Sequence, residues 1–258
     1  MTTSLLRYGA ALALACATAV ATPPAVHAQQ LECDGQAVTI DLNDPGHEDP
    51  DRPESDVILG TPGEDDIRAG GGEDVICAGD DRDDVAGEAG HDRIFGMAGA
   101  DDLVGGRGDD LLDGSIASDE LRPGPGDDVV DGGDRADLVA FDTATARVTV
   151  DLAIARPQDT GQGMDTIEDV KVVLGSPFDD VLRGNTAENQ LHGGRGADLL
   201  DGRGGDDGLT GNEGDDAIWG GTGDDGLLGL MGNDRLYGGD GTDDCRGGQG
   251  RDRRTACE

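Results

Sequence analysis

One aliphatic residue recurs at every ninth position along two long stretches of the chain. In residues 60–140 this position holds Ile67, Ile76, Val85, Ile94, Leu103, Leu112, Leu121, Val130 and Val139. In residues 175–255 it holds Leu182, Leu191, Leu200, Leu209, Ile218, Leu227 and Leu236, and then Cys245 and Arg254. Because compositional bias cannot keep one residue class in phase over such distances, the pattern indicates a structural repeat of nine residues.

An aspartate lies two positions before each aliphatic residue, at the sixth place of the repeat. The single exception in the two stretches is the second unit of residues 175–255, which has Asn189 there. We predict that these aspartates are metal ligands: Asp65, Asp74, Asp83, Asp92, Asp101, Asp110, Asp119, Asp128, Asp137, Asp180, Asp198, Asp207, Asp216, Asp225, Asp234, Asp243 and Asp252.

Each unit predicts a turn followed by a short strand. Places one to six contain glycines, which permit the positive φ angles of tight turns, and places seven to nine are strand-like with an inward aliphatic side chain. Two units make one coil, and successive coils pair their strands at about 4.8 Å. We therefore expect an all-β fold, a parallel β-roll (a right-handed β-solenoid) in two blocks, residues 60–140 and 175–258, the second ending in a C-terminal cap.

The segments outside the two blocks do not follow the nine-residue pattern. Residues 141–174 contain an alternating stretch at 147–152 and an apolar stretch at 167–174, and predict a short β insert that connects the blocks. Residues 29–59 predict an N-terminal cap followed by an acidic, proline-rich linker at 42–55.

The first 28 residues are typical of a cleaved export signal. Arg7 precedes an apolar run from Ala10 to Ala21, and small residues allow cleavage near Ala28. We therefore expect a secreted, extracellular protein. Two alternatives stay open: a short membrane anchor, and lipidation at Cys16.

Four cysteines remain after the signal: Cys33, Cys77, Cys245 and Cys257. An even number in an exported chain favours disulfides, for which three pairings are possible. We prefer Cys33–Cys77 and Cys245–Cys257, because each joins one end of the chain to the nearest repeat. A zinc site is disfavoured, since no CxxC pair occurs.

Charge and composition determine what such a roll requires. The chain has a formal charge of -37, 46 glycines and 2% aromatic residues, so it predicts either an acidic disordered chain or a repeat fold that needs cations. Nucleic acid is excluded as a partner by its charge. Stacked carboxylates about 5 Å apart repel by roughly 3 kcal/mol at an effective dielectric of 20. Ca²⁺ suits the relief of that repulsion best, because it accepts six to eight oxygen ligands in irregular geometry.

The repeats resemble the glycine-rich nonapeptide GGxGxDxUx of RTX, or haemolysin-type, calcium-binding proteins, most closely at 105–113 and 193–201. This resemblance implies a parallel β-roll in which several Ca²⁺ ions lie between turns, held by the sixth-place aspartates and backbone carbonyls.

Some units depart from the family pattern. The fourth-place glycine is replaced at Ala117, Arg135, Phe178 and Ala187, and Asn189 replaces a ligand. We expect weaker or empty sites there.

These observations predict a secreted calcium-binding protein that folds as it binds Ca²⁺. The alternatives are a calcium-stabilised surface adhesin or matrix protein, or the non-catalytic remnant of an RTX toxin or hydrolase. No enzyme is expected: paired acids such as Asp109–Asp110 recur in most units, and neither an HExxH nor a GxSxG motif occurs. The phase-locked aliphatic row argues against a disordered acidic chain, and no protein or surface partner can be named.

Overall fold

The computed structural model describes residues 32–41 and 54–258, which form β-strands and turns and contain no helix. The predicted all-β fold is confirmed, and the strands of the repeats pair in parallel as expected of a β-roll. The predicted signal peptide and most of the acidic linker lie outside the described residues. No described segment forms a helix long and apolar enough to cross a membrane.

The strands are short, and most of them coincide with the last three places of a nonapeptide or extend into the next turn. In chain order they are β1 (Glu32–Cys33), β2 (Gln36–Ala37), β3 (Ile40–Asp41), β4 (Val57–Leu59), β5 (Asp66–Arg68), β6 (Gly71–Gly72), β7 (Val75–Asp80), β8 (Asp84–Gly90), β9 (Arg93–Ala98), β10 (Asp102–Arg107), β11 (Leu111–Asp113), β12 (Glu120–Arg122), β13 (Val129–Asp131), β14 (Leu138–Ala140), β15 (Thr149–Asp151), β16 (Gln158–Asp159), β17 (Met164–Glu168), β18 (Val172–Leu174), β19 (Val181–Arg183), β20 (Gln190–Arg195), β21 (Leu199–Gly204), β22 (Gly208–Glu213), β23 (Ala217–Thr222), β24 (Gly226–Met231), β25 (Arg235–Asp240), β26 (Asp244–Gln249) and β27 (Arg253–Thr255).

Three sheets form the walls of the roll. The long sheet has the order β26-β24-β22-β20-β18-β14-β12-β10-β8-β5, with β6 beside β8. The N-terminal sheet is β16-β17-β13-β11-β9-β7-β4-β3, and the C-terminal sheet is β15-β19-β21-β23-β25-β27. Within the repeats each strand pairs with the strand two units later, so that Leu103 lies beside Leu121 and Leu200 beside Ile218. Two nonapeptides therefore complete one coil.

The core is the aliphatic row predicted from the sequence. All its members from Ile67 to Val139 and from Leu182 to Leu236 are at most 2% exposed, and they belong to one hydrophobic cluster. Cys245 is 5% exposed and Arg254 is exposed, so the row ends there. At the other end, Ile58 and Ile40 continue the row beyond the first block.

The segment 141–174 lies within the sheets. In the long sheet β14 pairs directly with β18, so this sheet continues from one block to the other. On the opposite wall β17 pairs with β13 of the first block, and β15 pairs with β19 of the second block. The antiparallel partner of β17, β16, lies at the edge of the N-terminal sheet. One wall is thus continuous across the insert, and the other consists of two sheets.

Both preferred disulfide pairings are present. Cys33–Cys77 has a Cα–Cα distance of 5.9 Å and attaches the β1–β2 hairpin to the N-terminal sheet, next to Val57 and Val75. Cys245–Cys257, with a Cα–Cα distance of 5.7 Å, joins the last core position to the chain end. Each disulfide therefore lies at one end of the roll.

Two neighbouring residues of β13 test whether only the inward face of the strand contributes to the core. Val130 is fully buried, whereas Val129 is 42% exposed on the outer face. We expect Val130→Ala to lower the free energy of unfolding by about 2 kcal/mol, the value of a buried valine side chain. The matched Val129→Ala should change it by less than about 0.5 kcal/mol. Urea unfolding of the calcium-loaded protein measures both, and equal losses would contradict the assignment of the two faces.

Candidate metal-binding site

The predicted aspartates form two rows, one along each edge of the roll where the turns stack. The first edge carries Asp65, Asp83, Asp101, Asp119 and Asp137, followed by Asn189, Asp207, Asp225 and Asp243. The second edge carries Asp74, Asp92, Asp110 and Asp128, followed by Asp180, Asp198, Asp216, Asp234 and Asp252. All are at most 3% exposed except Asp65 and Asp252, which are half-buried.

A repeated hydrogen bond positions each carboxylate. The backbone N–H of one aspartate donates to Oδ1 of the aspartate 18 residues later, for example from Asp92 to Asp110 at 2.9 Å and from Asp110 to Asp128 at 2.8 Å. The same bond joins Asp198 to Asp216 at 2.9 Å. Because each turn donates a hydrogen bond to the carboxylate of the next coil, the carboxylates lie in stacked columns.

Two members of the columns were missed by the sequence analysis. The N–H of Asp56 donates to Asp74 Oδ1 at 2.7 Å, and the N–H of Asp128 donates to Asp165 Oδ1 at 2.9 Å. Asp56 was detectable by extending the register one unit, since Ile58 occupies the eighth place. Asp165 lies in a complete unit at 160–168, which is visible only if the register restarts within the insert.

The second carboxylate oxygen of most column members has no partner. Within the described part of the chain, Oδ2 is buried without a hydrogen-bond donor in Asp74, Asp83, Asp92, Asp101, Asp110, Asp119, Asp128, Asp137, Asp198, Asp207, Asp216, Asp225, Asp234 and Asp243. A buried ionised oxygen without a partner is strongly unfavourable. Cations bound beside these oxygens would offset that cost.

Where the first place of a unit is glycine, its backbone lies close to these oxygens. A Cβ on Gly105 would lie 2.6 Å from Asp110 Oδ2 and 2.6 Å from the carbonyl oxygen of Pro123 in the next coil. A Cβ on Gly87 would meet Asp92 Oδ2 at 2.5 Å and the Gly105 carbonyl at 2.8 Å. A carboxylate oxygen and a backbone carbonyl of the neighbouring coil thus converge at these turns.

The ligand chemistry favours a hard cation that accepts carbonyl oxygens. Among the described residues, no three His, Cys, Asp or Glu side chains converge on one point. Carboxylates can therefore supply only part of a coordination shell, and backbone carbonyls must supply the rest. Ca²⁺ fits this oxygen-only donor set, whereas Zn²⁺ and other thiolate- or imidazole-binding metals do not.

The pKa values of the stacked aspartates are consistent with a site for a cation. Burial raises the pKa of Asp110 and Asp207 to about 7, and the charges of stacked aspartates add to the effect against an opposing backbone hydrogen bond. The pKa of Asp128 rises to about 8, mainly by burial and further by the charge of Asp165. A bound cation would reverse these shifts, because it favours the ionised form.

The turns that lack a fourth-place glycine differ among themselves. Ala117 and Arg135 keep the left-handed conformation of a glycine, with φ of 106° and 99°, and the carboxylates that follow them, Asp119 and Asp137, remain buried with Oδ2 unpartnered. Their turns therefore retain the common geometry at a cost of about 1–3 kcal/mol in backbone strain. The turns of Phe178 and Ala187 follow another pattern, in which Ser176 and Asn185 donate to the sixth-place side chain.

A charge-matched pair of substitutions tests the columns. Asp207→Asn removes one buried carboxylate, whereas Asp201→Asn removes the same charge from the outer face of β21. We expect Asp207→Asn to lose about one bound Ca²⁺ per molecule and to need more calcium to fold, because a ligand is lost. Equilibrium dialysis measures the loss, and an equal effect of Asp201→Asn would show that net charge alone governs binding.

The raised pKa values predict how pH acts on the metal-free chain. Burial raises the pKa of Asp216 to about 6 and that of Asp128 to about 8, above the ordinary 3.8, so the folded state binds more protons than the unfolded state. The free energy of unfolding should therefore rise as pH falls from about 8 to about 5, by about 1.4 kcal/mol for each unit of pKa difference per group.

Circular dichroism of metal-stripped protein at pH 8 and pH 5 measures this effect. More strand signal is expected at pH 5, and the calcium concentration at the folding midpoint should be higher there, because protons compete with Ca²⁺. Greater stability of the metal-free chain at pH 8 would contradict the burial of ionised carboxyls.

Comparison with known families agrees with the geometry. Residues 53–85, 78–112, 174–209, 204–227, 209–235 and 227–253 match the RTX calcium-binding nonapeptide repeat (4 copies), and these matches span more than half of the chain. A search of curated proteins finds no match. The matched segments include both carboxylate edges of the second block and the first half of the first block. The chain belongs to the family of the RTX calcium-binding nonapeptide repeat.

Proposed function

We propose that this protein is an exported calcium-responsive module that folds into its roll when it meets extracellular calcium. The observation that carries the proposal is the set of buried carboxylates whose Oδ2 atoms have no partner among the described residues. Several Ca²⁺ ions between successive turns would satisfy these oxygens together with the turn carbonyls. Binding energy is then folding energy, as in other small metal-dependent folds.

The hydrophobic core supports a dependence on calcium because it is thin. In the second block it consists of one buried aliphatic side chain in each of the first seven nonapeptides, and such a side chain contributes about 1.5–3 kcal/mol. Repulsion of roughly 3 kcal/mol between each pair of stacked carboxylates is of the same size. Without cations the two terms would largely cancel, and the cost of chain ordering would be left unopposed.

Export is supported by two independent features. The N-terminal sequence has the charge, apolar run and small residues of a cleavable signal. Both disulfides stabilise the ends of the roll, and such bonds persist in oxidising compartments. Extracellular calcium-binding modules bind Ca²⁺ with dissociation constants of about 10⁻⁴–10⁻³ M. This chain would therefore stay unfolded before export and fold afterwards.

A calcium-stabilised adhesin is the second candidate, and one surface feature favours it. Trp219 and Tyr237 stack on the outer face of the C-terminal sheet, with ring centroids 5.5 Å apart, and Trp219 is 36% exposed. Aromatic side chains exposed on a rigid sheet are common anchors of binding surfaces. In either case we propose a non-catalytic role, because the acidic pairs repeat along the roll as parts of turns.

Calcium titration of residues 29–258, followed by far-UV circular dichroism, tests the proposal. We expect a cooperative change from coil to β-structure with CaCl₂ and no comparable change with MgCl₂ at equal concentration, because Mg²⁺ requires strict octahedral geometry. A chain that stays disordered at roughly 10 mM Ca²⁺, or one that is fully β in the absence of metal, would contradict calcium-driven folding.

A further inference from the structure

We propose that residues 141–192, hereafter the junction, order without calcium and divide the roll into two calcium arrays that fill separately. The inference rests on the proposed function, because it concerns which turns take part in calcium-driven folding. It assigns to this part of the chain a role in nucleating the roll, with one array on each side.

Two junction turns satisfy their own sixth-place carboxylates, those of Asp165 and Asp180. The Ser176 hydroxyl donates to Asp180 Oδ1 at 2.7 Å, and its backbone N–H donates to Oδ2 at 2.5 Å. The Thr160 hydroxyl donates to Asp165 Oδ2. These carboxylates have hydrogen-bond donors on both oxygens and therefore do not need a cation to balance burial.

The third junction turn removes the carboxylate altogether. Asn189 accepts a hydrogen bond from the N–H of Asn185 at 2.8 Å, and its neutral amide also presents the donor Nδ2 inside the turn. An amide N–H₂ repels a cation that a carboxylate would attract. Asn189 therefore adds no negative charge to this turn, and its buried Nδ2 has no hydrogen-bond partner among the described residues, so the turn offers calcium a weaker ligand than the carboxylate turns do.

Both carboxylate columns are interrupted in the junction. On the first edge, Lys171 occupies the place between Asp137 and Asn189, and its backbone N–H donates to the carbonyl of Asp137 at 3.1 Å. Lys171 is the single lysine of the chain. On the second edge, the buried Val148 takes the sixth place and donates its N–H to Asp180 Oδ1 at 2.7 Å. A continuous line of cations cannot pass either point.

The junction also buries apolar side chains, whose contribution to stability needs no metal. Its 52 residues bury nine (Phe141, Ala144, Val148, Val150, Ile167, Val170, Val173, Leu182 and Leu191), whereas the 63 residues of 193–255 bury six. Apolar burial per residue is thus nearly twice that of 193–255, and it equals that of 60–140, where 81 residues bury 14.

Polar contacts tie the junction to the second block without metal. Arg203 pairs with Asp151 through two hydrogen bonds of 2.7 Å and also donates to the Gly184 carbonyl. The Gln158 side chain bonds both the N–H and the carbonyl of Asp151. Two-pronged arginine–carboxylate pairs are among the stronger ionic contacts in proteins.

Hydrogen–deuterium exchange of residues 29–258 at graded calcium concentrations tests the inference. We expect peptides from 141–192 to be protected already in the metal-free protein, and peptides from 74–128 and 198–243 to become protected only when calcium is added. Fast exchange of 141–192 in the metal-free protein, with all three regions protected together on calcium addition, would overturn the junction and leave calcium-driven folding intact. No gain of protection by 74–128 and 198–243 on calcium addition would overturn the proposed function itself.

A double variant provides the second test. Thr160→Val with Ser176→Ala removes the hydroxyl donors to Asp165 and Asp180, and Thr210→Val on β22 is the matched control. We expect the double variant to raise the exchange rates of junction peptides in the metal-free protein by about tenfold, the effect of losing hydrogen bonds to charged groups, and the control to leave them unchanged. An unchanged protection profile in the double variant would show that the hydroxyl bonds do not replace calcium.

Discussion

The burial of one aspartate directly above another is the constraint on which the rest of this structure depends. Each N–H-to-Oδ1 bond between coils fixes the spacing of the turns, and it leaves Oδ2 buried without a donor. The roll thus gains its regular stacking from an arrangement that is electrostatically unfavourable unless a cation is present. The composition agrees with this geometry: glycine occupies most first places, aspartate the sixth place, and one aliphatic residue per unit forms most of the core.

The insert shows how such an array can be interrupted without breaking the fold. The long sheet continues through the β14–β18 pair, and the hydrophobic cluster continues with it. On the opposite wall, the insert supplies β16 and β17 to the N-terminal sheet and β15 to the C-terminal sheet. The aspartate columns are interrupted where Lys171 and Val148 take the sixth place, while the strands stay in register.

Much of the fold could be predicted from the sequence because the repeat has a fixed period. The aliphatic row, the sixth-place aspartates and the disulfide pairing all appear in the structure where the pattern placed them. Asp165 was missed because an insertion shifts the register, so that its turn stacks on one that lies 37 residues away. The separation of degenerate turns into two kinds was also beyond the pattern. Ala117 adopts a strained glycine-like conformation, whereas Phe178 follows a hydroxyl-capped turn, and these differences depend on local hydrogen bonds.

Anomalous diffraction from a crystal grown with calcium, and then with a lanthanide in its place, would locate the cations along the roll. We expect anomalous peaks between successive turns along both edges, beside the Oδ2 atoms of stacked aspartates such as Asp92, Asp110, Asp207 and Asp225, and none beside Lys171. A folded roll without peaks along its edges would contradict this expectation, because the buried carboxylates would then be stabilised by something other than cations.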